Sequence, residues 1–418
     1  MAAALARDQA EIVGRYALYG EIASGGMAVV HYGKLLGAVG FQRPVAIKRL
    51  HPQLARDPGV RDMFIDEARL ASRIRHPNVV PTLDVVADGR DLLLVMEYVH
   101  GESLQHLMKA MRKRGQRIPL RITLAIVSAA LHGLHAAHEA TTEEGEPLHV
   151  VHRDVSPQNL MVGVDGVARV LDFGIARAAV RLEHTREGIV KGKLAYMAPE
   201  QLGGATVDRR ADVYAASVIL WEMVVGRRLF VKDDGGTVMV DKLLAGRIDP
   251  PSRVAPGTPK LLDALVLHGL ARNPEQRFAT AREMALALER LGDLARPSEI
   301  GEWVEGLAAE ALAARAVRLQ EVERSSSQVR VAAARHVDRE LPTLFDEDED
   351  DGVDVVFDLQ QRPPEEPSVV SASGSRRIPP PTMLPALPSP RPLAVFVAYA
   401  LLGATIVAAA VFLRWAFG

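Results

Sequence analysis

The sequence predicts an α+β protein: a small, β-rich lobe, a larger helical lobe, a disordered linker and one C-terminal transmembrane helix. Three observations predict it. Between residues 16 and 97 short apolar runs read as strands broken once by a helical pattern, and from 103 to 291 helical periodicity dominates. Beyond 324 the composition turns to serine, acidic residues and proline before a charge-free run at 393–413. The segments are a flexible N-terminus (1–15), the two-lobed domain (16–291), a helical extension (292–324), an acidic and proline-rich linker (325–392), the membrane helix (393–413) and a short tail (414–418).

In the first lobe residues 45–47 and 92–96 are strand-like. Phe64, Ile65, Ala68, Leu70, Ala71 and Ile74 recur at helical spacing until His76-Pro77 stops them. The second lobe contains "LAIVSAALHGLHAAH" and "DVYAASVILWEMVVG", with a hairpin signal at Asp165-Gly166 before "VARVLDFG". Ile300, Trp303, Val304, Leu307, Ala311, Leu312 and Leu319 then mark one further helix. The linker holds "DEDEDD" and "IPPPTMLPALPSPRP" and reads as an extended, solvated tether. The uncharged run "LAVFVAYALLGATIVAAAVFL" is about 32 Å long as a helix, enough to span a bilayer.

Composition excludes several classes. The formal net charge of -2 gives no general reason to bind nucleic acid, and no zinc-ligand spacing occurs. With no cysteine there is no disulfide framework and no thiolate chemistry, which fits a reducing compartment. The N-terminal residues lack the basic lead and apolar core of a secretory signal, so the N-terminus is expected inside. Arg376, Arg377 and Arg391 precede the span and Arg414 follows it, so the expected topology is single-pass in the cell membrane with residues 16–291 cytoplasmic.

Phosphoryl transfer needs a lid over phosphates, an anchoring cation, groups that hold a metal, and a group that takes the nucleophile's proton. Each has a candidate. In "IASGGMAVV" the residues Ile22, Ala23, Ser24, Gly25, Gly26, Met27, Ala28, Val29 and Val30 form a turn between strand-like flanks, where Gly25 and Gly26 admit close backbone approach to a phosphate. By itself this turn is equally an ordinary small-residue hairpin. "VAIK" ends a buried strand on Lys48, whose ammonium needs a carboxylate partner, and Glu67 on the next helix is the obvious one. "LDFG" sets Asp172 before a flexible Phe-Gly pair, suited to Mg²⁺ on a mobile hinge. "VVHRDVSPQN" places Asp154 five residues before Asn159.

With "HPNVV", "LVMEYV", "YMAPEQ" and "NPEQRF", these motifs stand in the order and spacing of eukaryotic-like (Hanks-type) bacterial serine/threonine protein kinases, and the chain resembles that family over residues 16–291. The resemblance implies a bilobal protein kinase fold with ATP and Mg²⁺ as cofactors and protein substrates as partners. It implies that Lys48 binds the α- and β-phosphates and pairs with Glu67, that Asn159 and Asp172 hold the metal, and that Asp154 takes the substrate's proton. Main-chain groups of Glu97 and Val99 would read adenine, with Met96 behind it and Ile22, Val30 and Ala46 sandwiching the ring. Glu200 would pair with Arg277, and Asp212 would support the catalytic loop.

The sequence departs from the family in three places. The lid's usual glycines are Ala23, Gly25 and Ala28; Ser156 replaces a catalytic-loop lysine; and Lys193 replaces the threonine of a Gly-Thr pair. The last two read either as an exchange in which Lys193 supplies the ammonium and Ser156 the hydroxyl, or as two independent substitutions with Lys193 facing solvent. Arg153 beside Asp154 implies control by phosphorylation, and Thr185, flanked by Arg181 and Arg186, is the candidate phosphosite. Ala400, Ala404 and Ala408 could pack a second helix and give a homodimer. The expected function is a membrane-tethered kinase of protein serine and threonine with autophosphorylation; the alternative is a nucleotide-binding pseudokinase scaffold.

Overall fold

The structure, a computed structural model, describes residues 10–37, 42–88, 91–173, 194–230 and 248–324. Thr185, Lys193, the linker, and the expected membrane helix with its alanine stripe lie outside these residues. The first lobe is a six-stranded antiparallel sheet in the order β1-β2-β3-β4-β6-β5, made of β1 (Glu11–Val13), β2 (Tyr16–Ser24), β3 (Ala28–Leu36), β4 (Gln42–Leu50), β5 (Thr82–Asp88) and β6 (Asp91–Glu97). Helix α1 (Pro58–Arg73) packs on one face. Asp57 caps it, accepting from the amides of Gly59 and Val60.

The continuous apolar run of β6 has a direct cause: both faces of the strand are covered. Leu92, Leu94 and Met96 join Phe64 and Ala68 of α1 in one core, while Leu93 and Val95 join Tyr16, Val45 and Ile47 in a second core on the other face. β4 lies between β3 and β6, so Lys48 sits opposite Val30 on one side and Leu94 on the other, in the interior of the sheet.

The second lobe begins with β7 (Gly101–Ser103), which pairs with β8 (Leu160–Gly163); β8 in turn pairs with β9 (Ala168–Val170). Gly166, at a φ of 75°, makes the turn between β8 and β9 where the sequence signals a hairpin. The helices are α2 (Leu104–Lys113), α3 (Leu120–His138), α4 (Pro199–Leu202), α5 (Arg210–Val225), α6 (Pro251–Val254), α7 (Lys260–Gly269), α8 (Ala281–Glu289) and α9 (Pro297–Arg324). Helix α5 is buried along its length and ends in Gly226 at a left-handed φ of 80°. Among the described residues α3 alone is long and apolar enough to cross a membrane, and most of it is buried in the core of the helical lobe.

Candidate active site

The site forms where the sheet faces the β8–β9 ribbon. Lys48 is buried, and its Nζ donates to Asp172 Oδ1 at 2.7 Å. Glu67 Oε1 of α1 stands 3.9 Å from the same ammonium. The expected Lys48–Glu67 pair is thus shared: both carboxylates face one cation, and the closer contact is with Asp172. A charge this far from water persists because opposite charges surround it.

Residues 152–159 form the floor. Asn159 Nδ2 donates to Asp154 O at 2.8 Å and to Asp154 Oδ2 at 3.0 Å, which fixes the carboxylate's orientation. His152 donates Nε2–H to Leu171 O at 2.9 Å and accepts the Asp154 amide at Nδ1, an arrangement that sets its tautomer. Leu171 N donates to Asn159 O at 2.9 Å. These bonds join the loop bearing Asp154 to the segment bearing Asp172. Phe173 is buried against the His152 ring, centroids 5.0 Å apart.

Two residues here hold left-handed backbone without being glycine: Arg153 at a φ of 62° and Asp172 at 52°. Such conformations persist only where the surroundings over-determine them. For Arg153 the agent is Asp212 of α5, whose carboxylate accepts the amides of Arg153 at 2.9 Å and His152 at 2.8 Å, and His138 Nε2 at 2.8 Å. Burial pushes the Asp212 carboxyl up, but the hydrogen bonds it accepts from His138 and from the His152 amide outweigh it and hold the group below the usual carboxylate range. Its contribution to folding is therefore present above the unfolded pKa and lost as pH falls through the lower folded one.

The lid is the turn joining β2 to β3, with Ala23 opposite Val30 and Ser24 opposite Val29. Gly25 N donates to Ala28 O at 2.9 Å and closes it. A Cβ on Gly26 would meet open space, so this glycine is not there to relieve a crowded backbone. Sequence reasoning missed His51, whose Nε2–H donates to Gly25 O at 2.8 Å while its amide donates to Met27 O, tying the lid to the end of β4. In the segment between the lobes, Glu97 N donates to Pro81 O at 3.0 Å, so of the main-chain groups expected at adenine the Glu97 amide is already engaged. Met27, Ala46, Val99 and Leu171 all pack against the core that contains Met96.

A family model described as the protein kinase domain matches residues 16–286. The chain belongs to the protein kinase domain family. The domain is that of an ATP-dependent protein kinase, which uses Mg²⁺. The chain is 44% identical over 276 residues to the tyrosine-protein kinase MasK of Myxococcus xanthus, covering 66% of this chain and 43% of that protein. It is 35% identical over 286 residues to the serine/threonine-protein kinase PknL of Mycobacterium tuberculosis, covering 68% of each. The crystal structure of the Mycobacterium tuberculosis PknI kinase domain superimposes with a TM-score of 0.50 at 26% identity, covering 68% of this chain and 98% of that one.

The kinase domain's residues fit the ion and nucleotide. Among the described residues no group of three His, Cys, Asp or Glu side chains could enclose a metal. Mg²⁺ at a phosphate site asks for less, one or two carboxylates with phosphate oxygens and water completing the shell. Asp172 supplies a carboxylate. Asn159, with Nδ2 committed to Asp154, has Oδ1 as the amide atom to face a cation. Glu67 and Asp172 both face the Lys48 ammonium, at 3.9 and 2.7 Å.

Two pairs brace the platform beside the site. Arg277 meets Glu200 in a two-pronged bridge at 2.7 and 2.8 Å, donates to the carbonyls of Ala271, Arg210 and Arg272, and lies 4.9 Å from the Tyr214 ring centre. Its side chain is fully buried. The sequence motifs predict this pair. They do not reveal Glu222 of α5, also fully buried, which accepts Tyr196 OH at 2.9 Å and the Leu229 amide at 3.1 Å beside Arg228. Burial pushes the Glu222 carboxyl up. The available signal was one acidic residue inside "VILWEMVV".

Ser156 is also buried, and among the described residues its Oγ has no hydrogen-bond partner. A hydroxyl in that position lacks the compensation that buried polar groups ordinarily have.

Proposed function

We propose that the chain is a membrane-tethered kinase that transfers the γ-phosphate of ATP to serine and threonine of proteins, including itself. The observation that carries this reading is the pairing of Lys48 with both Glu67 and Asp172 next to an Asp154 oriented by Asn159. Bound Mg²⁺ would neutralise phosphate oxygens, held by Asp172 and Asn159. Lys48 would fix the α- and β-phosphates, and the lid from Ile22 to Val30 would cover them. Adenine would lie between Ile22, Val30 and Ala46, read by the Glu97 carbonyl and the Val99 main chain, with Met96 behind. The substrate oxygen bonds to the γ-phosphorus as the bond to the β,γ-bridging oxygen breaks; the hydroxyl proton passes to Asp154 and ADP leaves.

Serine and threonine specificity is supported by relatives named as serine/threonine kinases, while MasK is named a tyrosine kinase and favours transfer to tyrosine instead. Labelled γ-phosphate followed by phosphoamino-acid analysis decides between them. Phosphoserine and phosphothreonine are expected, and phosphotyrosine alone would overturn the specificity. Mapping the same label by mass spectrometry should find Thr185, as Arg153 beside the base calls for an added anion; no phosphate there would reject it.

The Ser156 hydroxyl, buried and without a hydrogen-bond partner among the described residues, supports the exchange with Lys193, whose ammonium would supply the missing donor and charge. Lys193→Thr should be severely impaired, and the pair Lys193→Thr with Ser156→Lys should recover. A double variant no better than the single one rejects the exchange.

Tethering rests on the charge-free run at 393–413, with more arginine on its N-terminal side. Alanines 400, 404 and 408 support a homodimer that phosphorylates in trans. Protease added to intact cells should spare the kinase domain, and carbonate should leave it in the membrane pellet; digestion from outside or release by carbonate would contradict the tether.

A further inference from the structure

Helix α9 touches both lobes and the segment between them. At its start it lies backbone to backbone on the β8–β9 turn: a Cβ on Gly166 would fall 1.8 Å from Pro297 O, and one on Gly301 would fall 2.2 Å from Val164 O. Ile300, Val304 and Leu312 are buried in the core of the helical lobe. At Ala308 the backbone leaves helical geometry (φ -114°, ψ 18°), which divides the helix between Val304 and Leu312.

The second half reaches the hinge and then the sheet. Arg315 donates to Gly101 O at 2.5 Å through Nη1 and to Glu102 Oε2 at 2.8 Å through Nη2. Glu102 is buried, and its other oxygen accepts the Ser103 amide at 2.7 Å, so Arg315 is part of what compensates that carboxylate. At the far end, Lys34 of β3 is 2% exposed and donates from Nζ to Val322 O and Glu323 O, both at 3.1 Å. These two bonds fasten the N-lobe sheet to α9.

We propose that α9 is a strap that sets the hinge and the closure of the lobes over ATP, with Arg315 a positioning residue for the adenine-reading segment and Lys34 the N-lobe fastening. This rests on the assignment of Glu97 and Val99 to adenine. Gly101 and Glu102 follow Val99 with only His100 between, so freeing them loosens the groups that hold the base. Adenine is held alike in the ground and transition states, so the loss falls on KM rather than on kcat.

The test uses the full chain with Arg315→Gln, Arg315→Lys and Lys34→Met, reading KM for ATP, kcat, and hydrogen exchange at residues 97–103. Arg315→Gln should raise KM about tenfold and speed hinge exchange. Lys34→Met should raise KM about threefold, and Arg315→Lys, which keeps the charge without the fork, should lie between wild type and Arg315→Gln. Unchanged KM and unchanged hinge exchange in both Arg315→Gln and Lys34→Met overturn the strap, as does a fall in kcat with KM constant. Val99→Pro, which deletes the N–H assigned to adenine, separates the two claims. A raised KM there with none in Arg315→Gln refutes the strap alone, and an unchanged KM in Val99→Pro refutes the hinge assignment beneath it.

Discussion

Lys48→Ala lowers phosphoryl transfer by roughly 10³-fold or more, and Asp172→Ala does the same. The two residues touch at 2.7 Å, one on the central strand of the sheet and one after β9, so each holds the other in place. Without Lys48 the Glu67 and Asp172 carboxylates lose the ammonium they share, and the phosphates lose the cation assigned to them. Without Asp172 the metal loses its carboxylate and Lys48 its nearest partner. Because the pair acts as a unit, the double variant should be little worse than either single one. Steady-state kinetics on the three variants, with circular dichroism to confirm folding, checks this. Near-normal turnover in either single variant would contradict the assigned chemistry.

Arg277→Met destabilises the kinase domain by about 3–5 kcal/mol, because it leaves the Glu200 carboxylate buried without its cation and three carbonyls without their donor. At about 2–4 °C per kcal/mol for a domain of this size, Tm should fall by roughly 6–20 °C. Pairing Arg277→Met with Glu200→Gln removes the stranded charge and should recover part of that loss. Thermal unfolding of the single and double variants decides it, and a double variant less stable than the single one would show that the Glu200 charge is not what the arginine compensates.

Lys48 and Glu67 were legible because a buried ammonium demands a carboxylate partner, Asp172 because it follows an apolar strand and precedes a flexible Phe-Gly pair, and the Glu200–Arg277 pair only through the family resemblance of its motifs. β6 was legible for a different reason, since a strand covered on both faces must be apolar throughout. Contacts made by single residues across the chain were not legible. Arg315 is more than two hundred residues from Gly101, and Lys34 nearer three hundred from Val322. Neither belongs to a periodic pattern, and each reads locally as a surface cation. The helix carrying Arg315 was predicted from its apolar spacing, but not which of its cations would be drawn inward. His51 escaped for the same reason, since its partner is a backbone carbonyl of the lid and no side-chain motif records it.

The most direct test of the central claim is incorporation of γ-labelled phosphate from Mg-ATP by the full chain, compared with Asp154→Asn. The asparagine keeps the size of the side chain and its contact with Asn159 but cannot take the hydroxyl's proton. Label on the wild-type protein or an added protein substrate, and loss of roughly 10³-fold or more in Asp154→Asn, is the predicted result. Equal labelling of both proteins, or none in the wild type with Mg²⁺ present, would contradict phosphoryl transfer at this site.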